Sequence, residues 1–291
     1  MRSFLFVPAD SERKLAKGAD SGADAIILDL EDSVADDRKA GARETALAYL
    51  KQHAAETKRP RLVVRVNALD TGLTDADLDA VVAGPPDMIL LPKAEGGAAV
   101  THLDAKLTAR EAVHGLSEGS IKILALATET AASLFVCGTY RNSSPRLTGI
   151  TWGAEDLSAE LGAETNRDEH GRFTSPYWLA RNLSLAAASA ARVQAIDTVY
   201  ADFHNMDGLR AEAIEARRDG FTAKMAIHPA QVAIINEVFT PAADEIAKAQ
   251  AIVKAFTDNP SSGVVAIGGV MYDRPHLTRA ERLLARVKSG A

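Results

Sequence analysis

Short apolar runs of strand length alternate with segments of helical periodicity along most of this chain, and this alternation constrains the fold more than any other feature. Eight runs are predicted as strands: Ser3–Val7, Ala25–Leu30, Leu62–Val66, Met88–Leu91, Ile121–Ala127, Leu147–Trp152, Asp197–Tyr200 and Ala223–Ile227. The helices predicted between them include Ser11–Ala19, Arg38–Gln52, Thr74–Val82, Tyr177–Arg192 and Gly208–Asp219. This order indicates an α/β fold, a closed (β/α)8 TIM barrel rather than an open doubly wound sheet. The length of 291 residues suits one such barrel or two ordinary domains, so length alone does not decide.

The alternation stops beyond Pro229, and the rest of the chain is predicted to be mainly helical. Helices are predicted at Ala230–Val238, at Ala242–Thr257 and from Thr278 onward. Asn259–Gly269 is rich in Pro, Ser and Gly, which is typical of a hinge or loop. We therefore predict a catalytic barrel domain over residues 1–239 and a C-terminal helical segment over residues 240–291 that carries a flap.

Charge and cysteine content exclude several classes of function. The net charge is -6 at pH 7, and basic residues are scattered among acids, so we expect neither a nucleic-acid partner nor a membrane partner. Cys137 is the only cysteine, which excludes an internal disulfide and fits a reducing cytoplasm. No signal peptide is apparent, and no uncharged stretch is long enough to span a bilayer. The expected protein is soluble and cytoplasmic.

Several common site motifs are absent from the sequence. No Gly-Lys-Ser/Thr phosphate loop, no GxGxxG after a strand, no GxSxG elbow and no paired-cysteine motif occurs. The seven histidines are dispersed, which disfavours zinc. His228, after the last predicted strand, is a candidate site residue. The alternative is a histidine whose hydrogen bonds hold the rim of the barrel in shape.

Polar side chains follow almost every predicted strand, where barrel enzymes carry their chemistry. They are Asp10, Asp29, Glu31, Asp32, Arg65, Asn67, Lys93, Glu95, Glu129, Glu155, Asp156, Asp202, His204 and His228. So many polar groups on one rim must be solvated or paired, which is costly in a barrel that binds nothing. The rim is therefore the predicted site.

Glu129 and Asp156 are the candidate metal ligands on this rim. Each acid follows an apolar run, and the two runs are successive predicted strands without a neighbouring histidine or cysteine. Two such carboxylates are hard oxygen ligands of the kind that Mg²⁺ accepts while it keeps waters for a substrate to displace. Each acid taken singly has an alternative role at the start of a helix. Thr128 with Glu129 could begin the helix that contains Ala131–Val136, and Asp156 could cap the helix that follows it.

Six motifs, in this order along the chain, resemble those of a known family. They are RSFLFVPA at Arg2–Ala9, LDLEDSV at Leu28–Val34, VRVNALDTG at Val64–Gly72, LPKAEG at Leu91–Gly96, GAEDLSAELG at Gly153–Gly162 and AIHPAQV at Ala226–Val232. Together they resemble the citrate lyase β-subunit-like branch of the HpcH/HpaI aldolase superfamily, which includes malyl-CoA, citramalyl-CoA and citryl-CoA lyases. The resemblance covers almost the whole chain and also implies a (β/α)8 barrel.

The resemblance implies roles for individual residues. Mg²⁺ would be held at Glu129 and Asp156, and Arg65 would meet a substrate oxygen. Coenzyme A, as part of the substrate, would contact Phe6 and Lys17. The basic residue that these lyases carry soon after the first strand is displaced here, because the chain reads ADSER and the nearest arginine is Arg13.

Further cofactor contacts are predicted at Arg65, Glu129, Glu155, Ala226 and Ile227. In malyl-CoA lyases a C-terminal flap brings an acid over the site of the neighbouring subunit, and GGVMYDRPHL resembles that flap with Asp273 as the acid. The alternative for Asp273 is an ordinary turn residue. The resemblance also implies a homotrimer or a hexamer.

The resemblance, taken with these residues, implies a Mg²⁺-dependent oxo-acid lyase. It would reversibly cleave a 3-hydroxyacyl-CoA, such as malyl-CoA, citramalyl-CoA or citryl-CoA, into an α-keto acid and acetyl-CoA or a similar thioester. Arg65 would stabilise the developing oxygen charge, Asp273 would exchange a proton with the thioester enolate, and Glu31 with Asp32 would orient the waters of the metal. The alternatives are a malyl-CoA-type thioesterase and an accessory subunit of a citrate lyase complex that acts on carrier-protein-bound acyl groups. The identity of the keto acid stays open.

Overall fold

The computed structural model describes residues 1–288 and contains eight parallel strands that close into a barrel in sequence order. The strands are β1 (Ser3–Pro8), β2 (Ala25–Asp29), β3 (Arg61–Arg65), β4 (Met88–Leu91), β5 (Lys122–Ala127), β6 (Leu147–Trp152), β7 (Gln194–Asp197) and β8 (Ala223–Ala226). The first strand pairs with both β2 and β8, which closes the ring. The predicted (β/α)8 barrel is confirmed.

Nine helices of the first 239 residues follow the strands. They are α1 (Glu12–Ala19), α2 (Lys39–His53), α3 (Thr74–Val81), α4 (Gly96–Val113), α5 (Ala131–Leu134), α6 (Ala154–Leu161), α7 (Ser175–Ala191), α8 (Met206–Asp219) and α9 (Pro229–Phe239). Their apolar faces and the outward faces of the strands form the larger core of the protein. No helix within residues 1–288 has both the length and the apolar character needed to cross a lipid bilayer.

The predicted position of the seventh strand, Asp197–Tyr200, is wrong, because β7 starts at Gln194 and ends at Asp197. The amide side chain of Gln194 is satisfied by the Met1 carbonyl at 2.7 Å, so a polar residue can begin the strand. Beyond Asp197 the chain leaves the sheet. Asp202 and His204 therefore lie in a loop and do not end a strand.

The C-terminal part consists of α10 (Ala243–Asp258), β9 (Val264–Ile267), β10 (Val270–Asp273) and α11 (Arg274–Lys288). The prediction of a hinge or loop over Asn259–Gly269 is wrong in part, because β9 pairs antiparallel with β10. Gly268 and Gly269 have φ values of 57° and 79°, and two successive positive φ angles are what a tight hairpin turn requires. The last helix starts at Arg274, before the predicted Thr278.

A separate apolar cluster holds this C-terminal part together. It is formed by Ala249, Ile252, Phe256, Tyr272 and Ala280. The contacts with the barrel include an ion pair between Arg217 and Glu245 and a hydrogen bond from Arg2 to Thr240 at 2.9 Å. The domain limits of 1–239 and 240–291 stay a prediction.

The interior of the barrel has its own apolar core, which shows which positions of β6 face inward. This core includes Phe4, Ile27, Val63, Leu90, Leu124, Ile196 and Met225. A Cβ on Gly149 would lie 2.8 Å from Leu124 Cδ2 and 3.1 Å from Ile196 Cδ1, so Gly149 faces that interior. Because side chains alternate along extended chain, Gly153 lies on the same side, beyond the end of β6. The predicted site thus lies at the end of the barrel interior where the strands end.

Candidate active site

Arg65 ends β3 and lies beside Asp29, which ends β2. Its Nε and Nη2 donate to the two carboxylate oxygens of Asp29, each at 2.7 Å. Burial opposes the charge on Asp29, yet the hydrogen bonds from Arg65 hold the pKa of Asp29 below its usual range. The ring of Phe6 lies 4.9 Å from the guanidinium carbon. These contacts fix the guanidinium in one orientation at the mouth of the barrel.

The loop after β2 brings two further acids to Arg65. Glu31 Oε2 lies 2.9 Å from Arg65 Nη1, and Asp32 Oδ2 lies 3.6 Å from the same nitrogen. Burial raises the pKa of Glu31, although Arg65 opposes this shift. The buried Lys39 side chain fixes this loop: its Nζ donates to the Glu31 carbonyl at 3.1 Å and to Asn67 Oδ1 at 2.8 Å. Lys39 is therefore a positioning residue, a role that was not predicted from the sequence.

Lys93, two residues after β4, connects the acids of this rim; the sequence placed it on the predicted rim, but no catalytic or metal-binding role was predicted for it. Its Nζ lies 2.6 Å from Glu31 Oε1, 3.3 Å from Asp156 Oδ1 and 3.9 Å from Asp32 Oδ2. Its backbone N–H donates to Glu129 Oε2 at 2.6 Å. The signal was present in the sequence, because the LPKAEG motif places a lysine at a strand end.

Glu129 and Asp156 come together as predicted, and neither acid caps a helix. Thr130 caps α5 by accepting a hydrogen bond from Ser133 N–H, and Asp156 lies within the first turn of α6. Glu129 is 2% exposed, and burial together with the negative charge of Asp156 raises its pKa well above the usual range. A Cβ on Gly153 would lie 2.7 Å from Glu129 Cγ, so the glycine makes room for the Glu129 side chain.

The donor set of this rim fits Mg²⁺. We call Glu31, Asp32, Glu129 and Asp156 the four-carboxylate cluster. These four side chains are neighbours, but no three Asp, Glu, His or Cys side chains within residues 1–288 are arranged so that they could all hold one metal ion. Two carboxylate ligands are nevertheless enough for Mg²⁺, which fills its other positions with water and substrate oxygens. The negative charges of Asp156 and Glu31 oppose ionisation of the buried Glu129, so a divalent cation would stabilise its carboxylate.

Comparison with known proteins shows the family of this chain. The sequence profile described as HpcH/HpaI aldolase/citrate lyase matches residues 2–229, and the profile described as a C-C bond lyase of the TIM-barrel fold matches residues 172–289. This chain belongs to the HpcH/HpaI aldolase/citrate lyase family. As a member of that family it is a carbon–carbon lyase.

Curated relatives of this family member match along nearly their whole length. The citrate lyase subunit beta of Haemophilus influenzae is 36% identical, over 99% of this chain and 97% of the relative. A protein named (3S)-malyl-CoA thioesterase from Cereibacter sphaeroides is also 36% identical, over 100% of this chain and 95% of its own. The crystal structure of protein CitE from Mycobacterium tuberculosis, in complex with magnesium, acetoacetate and coenzyme A, superposes with a TM-score of 0.75. It is 33% identical and covers 98% of this chain and 97% of its own.

The residues predicted to contact coenzyme A in this family member are spread over several places. Phe6 lies against Arg65, and Ile227 is partly exposed directly after β8, with Ala226 buried beside it. Lys17 is exposed in the last turn of α1. Glu155 accepts a hydrogen bond from Asn166 at 2.9 Å and is exposed. Within residues 1–288, no hydrogen bond or ion pair joins Lys17 or Glu155 to the four-carboxylate cluster.

Asp273 ends the hairpin of β9 and β10, where its hydrogen bonds are to His276. The hydrogen bond with His276 lowers the pKa of Asp273. In the part of the chain that the structure describes, no hydrogen bond or ion pair connects Asp273 with the four-carboxylate cluster. A role for Asp273 within its own subunit therefore has no support from these contacts.

His228 holds the rim in shape, which agrees with the alternative stated for it. Its Nδ1 accepts a hydrogen bond from Ala230 N–H at 3.2 Å and so caps α9. Its ring stacks on Phe203 with centroids 5.2 Å apart. The Gln231 side chain completes the cap by accepting from His228 N–H at 3.2 Å, and it also accepts from Ile227 N–H at 2.9 Å. Asp202 likewise makes a local bond, to His204 N–H at 3.1 Å.

Proposed function

We propose that this protein is a Mg²⁺-dependent lyase that reversibly cleaves a 3-hydroxyacyl-CoA with a distal carboxylate into an α-keto acid and acetyl-CoA or a similar thioester. The observation that carries the proposal is the arrangement of Arg65, fixed by two hydrogen bonds from its guanidinium to Asp29, beside the acids Glu129 and Asp156. A rigid cation next to a metal-binding acid pair suits a reaction in which negative charge develops on a substrate oxygen.

Each part of the site has a separate task in this proposal. Glu129 and Asp156 would hold Mg²⁺, which supplies a Lewis acid for the carboxylate and the adjacent oxygen of the substrate. Arg65 directs Nη1 toward the acids of the rim and would stabilise the negative charge on the substrate 3-oxygen, which is consumed as the carbon–carbon bond breaks and develops on the keto oxygen in the reverse, condensing direction. Glu31 is held against Arg65 and would orient waters at the edge of the site.

Proton transfer to the thioester enolate requires a further group, and we assign it to Asp273. Because the hydrogen bonds of Asp273 are local to the hairpin, the proposal requires the flap of a neighbouring copy to reach this site. Such an assembly agrees with the proposed homotrimer or hexamer. Phe6, Lys17, Glu155, Ala226 and Ile227 remain our candidates for contacts with coenzyme A.

A thioesterase and a carrier-dependent subunit are the competing functions. The relative named (3S)-malyl-CoA thioesterase favours the first, and the relative named citrate lyase subunit beta favours the second. Both would use the same acids and Arg65. They differ in the products: a thioesterase releases free thiol without a keto acid, and a carrier-dependent subunit needs an acyl carrier partner. We also propose a cytoplasmic location, since Cys137 is buried and unpaired.

The test incubates purified protein and Mg²⁺ separately with malyl-CoA, citramalyl-CoA and citryl-CoA and follows both the keto acid and free thiol. We expect keto acid from one thioester and no product after chelation of the metal. The matched control is Glu129→Gln, which removes a metal ligand and changes the volume little. Thiol without keto acid would make the protein a thioesterase, and no product from any thioester would favour the carrier-dependent subunit.

A further inference from the structure

Lys93 is the cation that contacts Asp156. Its ammonium nitrogen lies between Glu31 Oε1 at 2.6 Å and Asp156 Oδ1 at 3.3 Å, with Asp32 Oδ2 at 3.9 Å. Within residues 1–288, no other lysine, arginine or histidine nitrogen lies within 4.0 Å of the Asp156 carboxylate. Arg65 contacts Asp29 through Nε and Nη2, and its Nη1 lies near Glu31 and Asp32. Lys93 is thus the counter-ion of one proposed metal ligand.

The backbone of Lys93 is fixed in this site, whereas its long side chain is flexible. Its φ is 47°, a left-handed conformation that a residue with a Cβ adopts only at a cost in free energy. The same conformation directs its N–H at Glu129 Oε2, at 2.6 Å. One residue therefore donates its backbone N–H to one proposed metal ligand and its ammonium to the other. The N–H bond depends only on the backbone, whereas the ammonium bond depends on a flexible side chain.

We propose that the Lys93 ammonium and the divalent cation are alternative counter-ions of the four-carboxylate cluster, so that the ammonium must leave Asp156 before a metal binds there. This inference rests on the proposed metal site at Glu129 and Asp156. Two cations on the same carboxylate repel each other strongly at such distances in a partly buried site. The four methylenes of lysine let the ammonium move, and its point charge needs no fixed geometry.

Two consequences follow for the metal affinity. Metal binding must break the ion pair between Lys93 and Asp156, which costs free energy. The affinity of the site for Mg²⁺ is therefore lower than it would be if Glu129 and Asp156 had no lysine beside them. The displaced ammonium then lies beside the metal site, where an anionic substrate carboxylate is the natural partner. Metal binding would in this way free the Lys93 ammonium to contact the substrate. Mg²⁺ would therefore bind before the substrate.

The test measures Mg²⁺ binding and thermal unfolding of the full chain without substrate, by calorimetric titration with MgCl2 and by Tm with and without MgCl2. We expect Lys93→Met to bind Mg²⁺ about tenfold more tightly or better, because a competing charge is gone. We also expect it to have a lower Tm without metal and a larger rise in Tm on adding MgCl2. Lys93→Arg keeps a cation and should not tighten binding.

Lys106→Met is the matched control. Lys106 donates to both carboxylate oxygens of Asp75 at 2.8 Å on the outside of the barrel, so its loss should leave the Mg²⁺ affinity unchanged. If Lys93→Met does not fold alone, it is refolded with MgCl2 and compared with Lys93→Gln, which is neutral and still donates a hydrogen bond. Unchanged or weaker Mg²⁺ binding by folded Lys93→Met or Lys93→Gln would overturn the inference.

The failure of this inference is distinguishable from failure of the proposed function. If wild-type protein forms keto acid only with Mg²⁺ while Lys93→Met fails to bind Mg²⁺ more tightly, the lyase stands and the competition is refuted. If no Mg²⁺ binding is found that Glu129→Gln abolishes, the metal site itself is refuted, and the inference with it.

Discussion

Replacing Gly153 by alanine would place one methyl group in the space that the Glu129 side chain occupies. The new Cβ would lie 2.7 Å from Glu129 Cγ, 2.9 Å from Oε1 and 3.2 Å from Cδ. Carbon atoms in contact prefer a separation of roughly 3.5 Å or more, so the Glu129 side chain must move by about 0.8 Å. Gly153 has φ −124° and ψ 115°, an extended conformation open to alanine, so the effect is steric and not a backbone strain.

A displacement of this size at a proposed metal ligand has a measurable cost in catalysis. Misplacing a reacting group by about 1 Å costs on the order of 10²-fold in rate, so we expect kcat of Gly153→Ala to fall by about that factor. Mg²⁺ binding should weaken as well, because Glu129 no longer aligns with Asp156. Overpacking should lower stability by about 1–3 kcal/mol. Steady-state kinetics with the active thioester, Mg²⁺ titration and urea unfolding measure the three effects.

Gly41→Ala serves as the matched control. Gly41 lies in α2, and a Cβ there meets nothing within 4 Å, so alanine should leave activity unchanged and stabilise the helix slightly. A Gly153→Ala variant with wild-type kcat and wild-type Mg²⁺ affinity would refute the reasoning, since it would mean that the exact position of Glu129 does not matter. A variant that loses activity but binds Mg²⁺ normally would show that Glu129 acts without the metal.

Three further predictions test other parts of the molecule. Arg65→Ala should lower kcat by about 10²–10³-fold as a preorganised oxyanion donor is lost, and a near-normal kcat would contradict that role. Asp273→Asn should lower kcat about 10²-fold without changing Mg²⁺ binding, and mixing it with Arg65→Ala should restore activity if the flap serves a neighbouring copy. Burial opposes the charge of Glu111, but hydrogen bonds from Arg146 and nearby backbone lower its pKa from 4.5 to about 2. A depressed pKa contributes stability above pH 4.5 that is lost as the pH falls toward 2. Glu111→Gln should therefore cost about 3 kcal/mol in urea unfolding at pH 7 and progressively less below pH 4.5.

The sequence was sufficient to predict the barrel because apolar runs and helix periodicity alternate without interruption up to Pro229. It failed for β7, since Gln194 is polar and its amide is satisfied in the strand by hydrogen bonds to the distant Met1 carbonyl and to Thr222 Oγ1. It failed for β9 because the Pro and Ser residues before Val264 obscured a short strand, although Gly268 and Gly269 carried the turn signal. Both errors involve short strands whose identity depends on partners far along the chain or on a two-residue turn.

Predictions for the site divide in the same way. The acids Glu129 and Asp156 could be found because each follows its own apolar run, and parallel strands bring their ends together. The ion pair of Lys93 with Glu31 and Asp156 could not, because it joins residues that follow three different strands, β2, β4 and β6. A lysine that follows a strand is equally compatible with an exposed side chain. Its partners depend on side-chain directions that no periodicity encodes.

Arg65 and Lys93 are both cations on an acidic rim, and their different chemistry explains why the site needs one of each. Arg65 uses two nitrogens of a planar fork on one carboxylate, Asp29, which fixes its orientation and leaves it in place throughout a reaction. Lys93 presents a single point charge that contacts Glu31 and Asp156 at once, and its flexible stem lets it exchange partners. Arg65→Lys would lose the fixed orientation, and Lys93→Arg would lose the mobility. Neither exchange is conservative at this site, although both preserve the net charge.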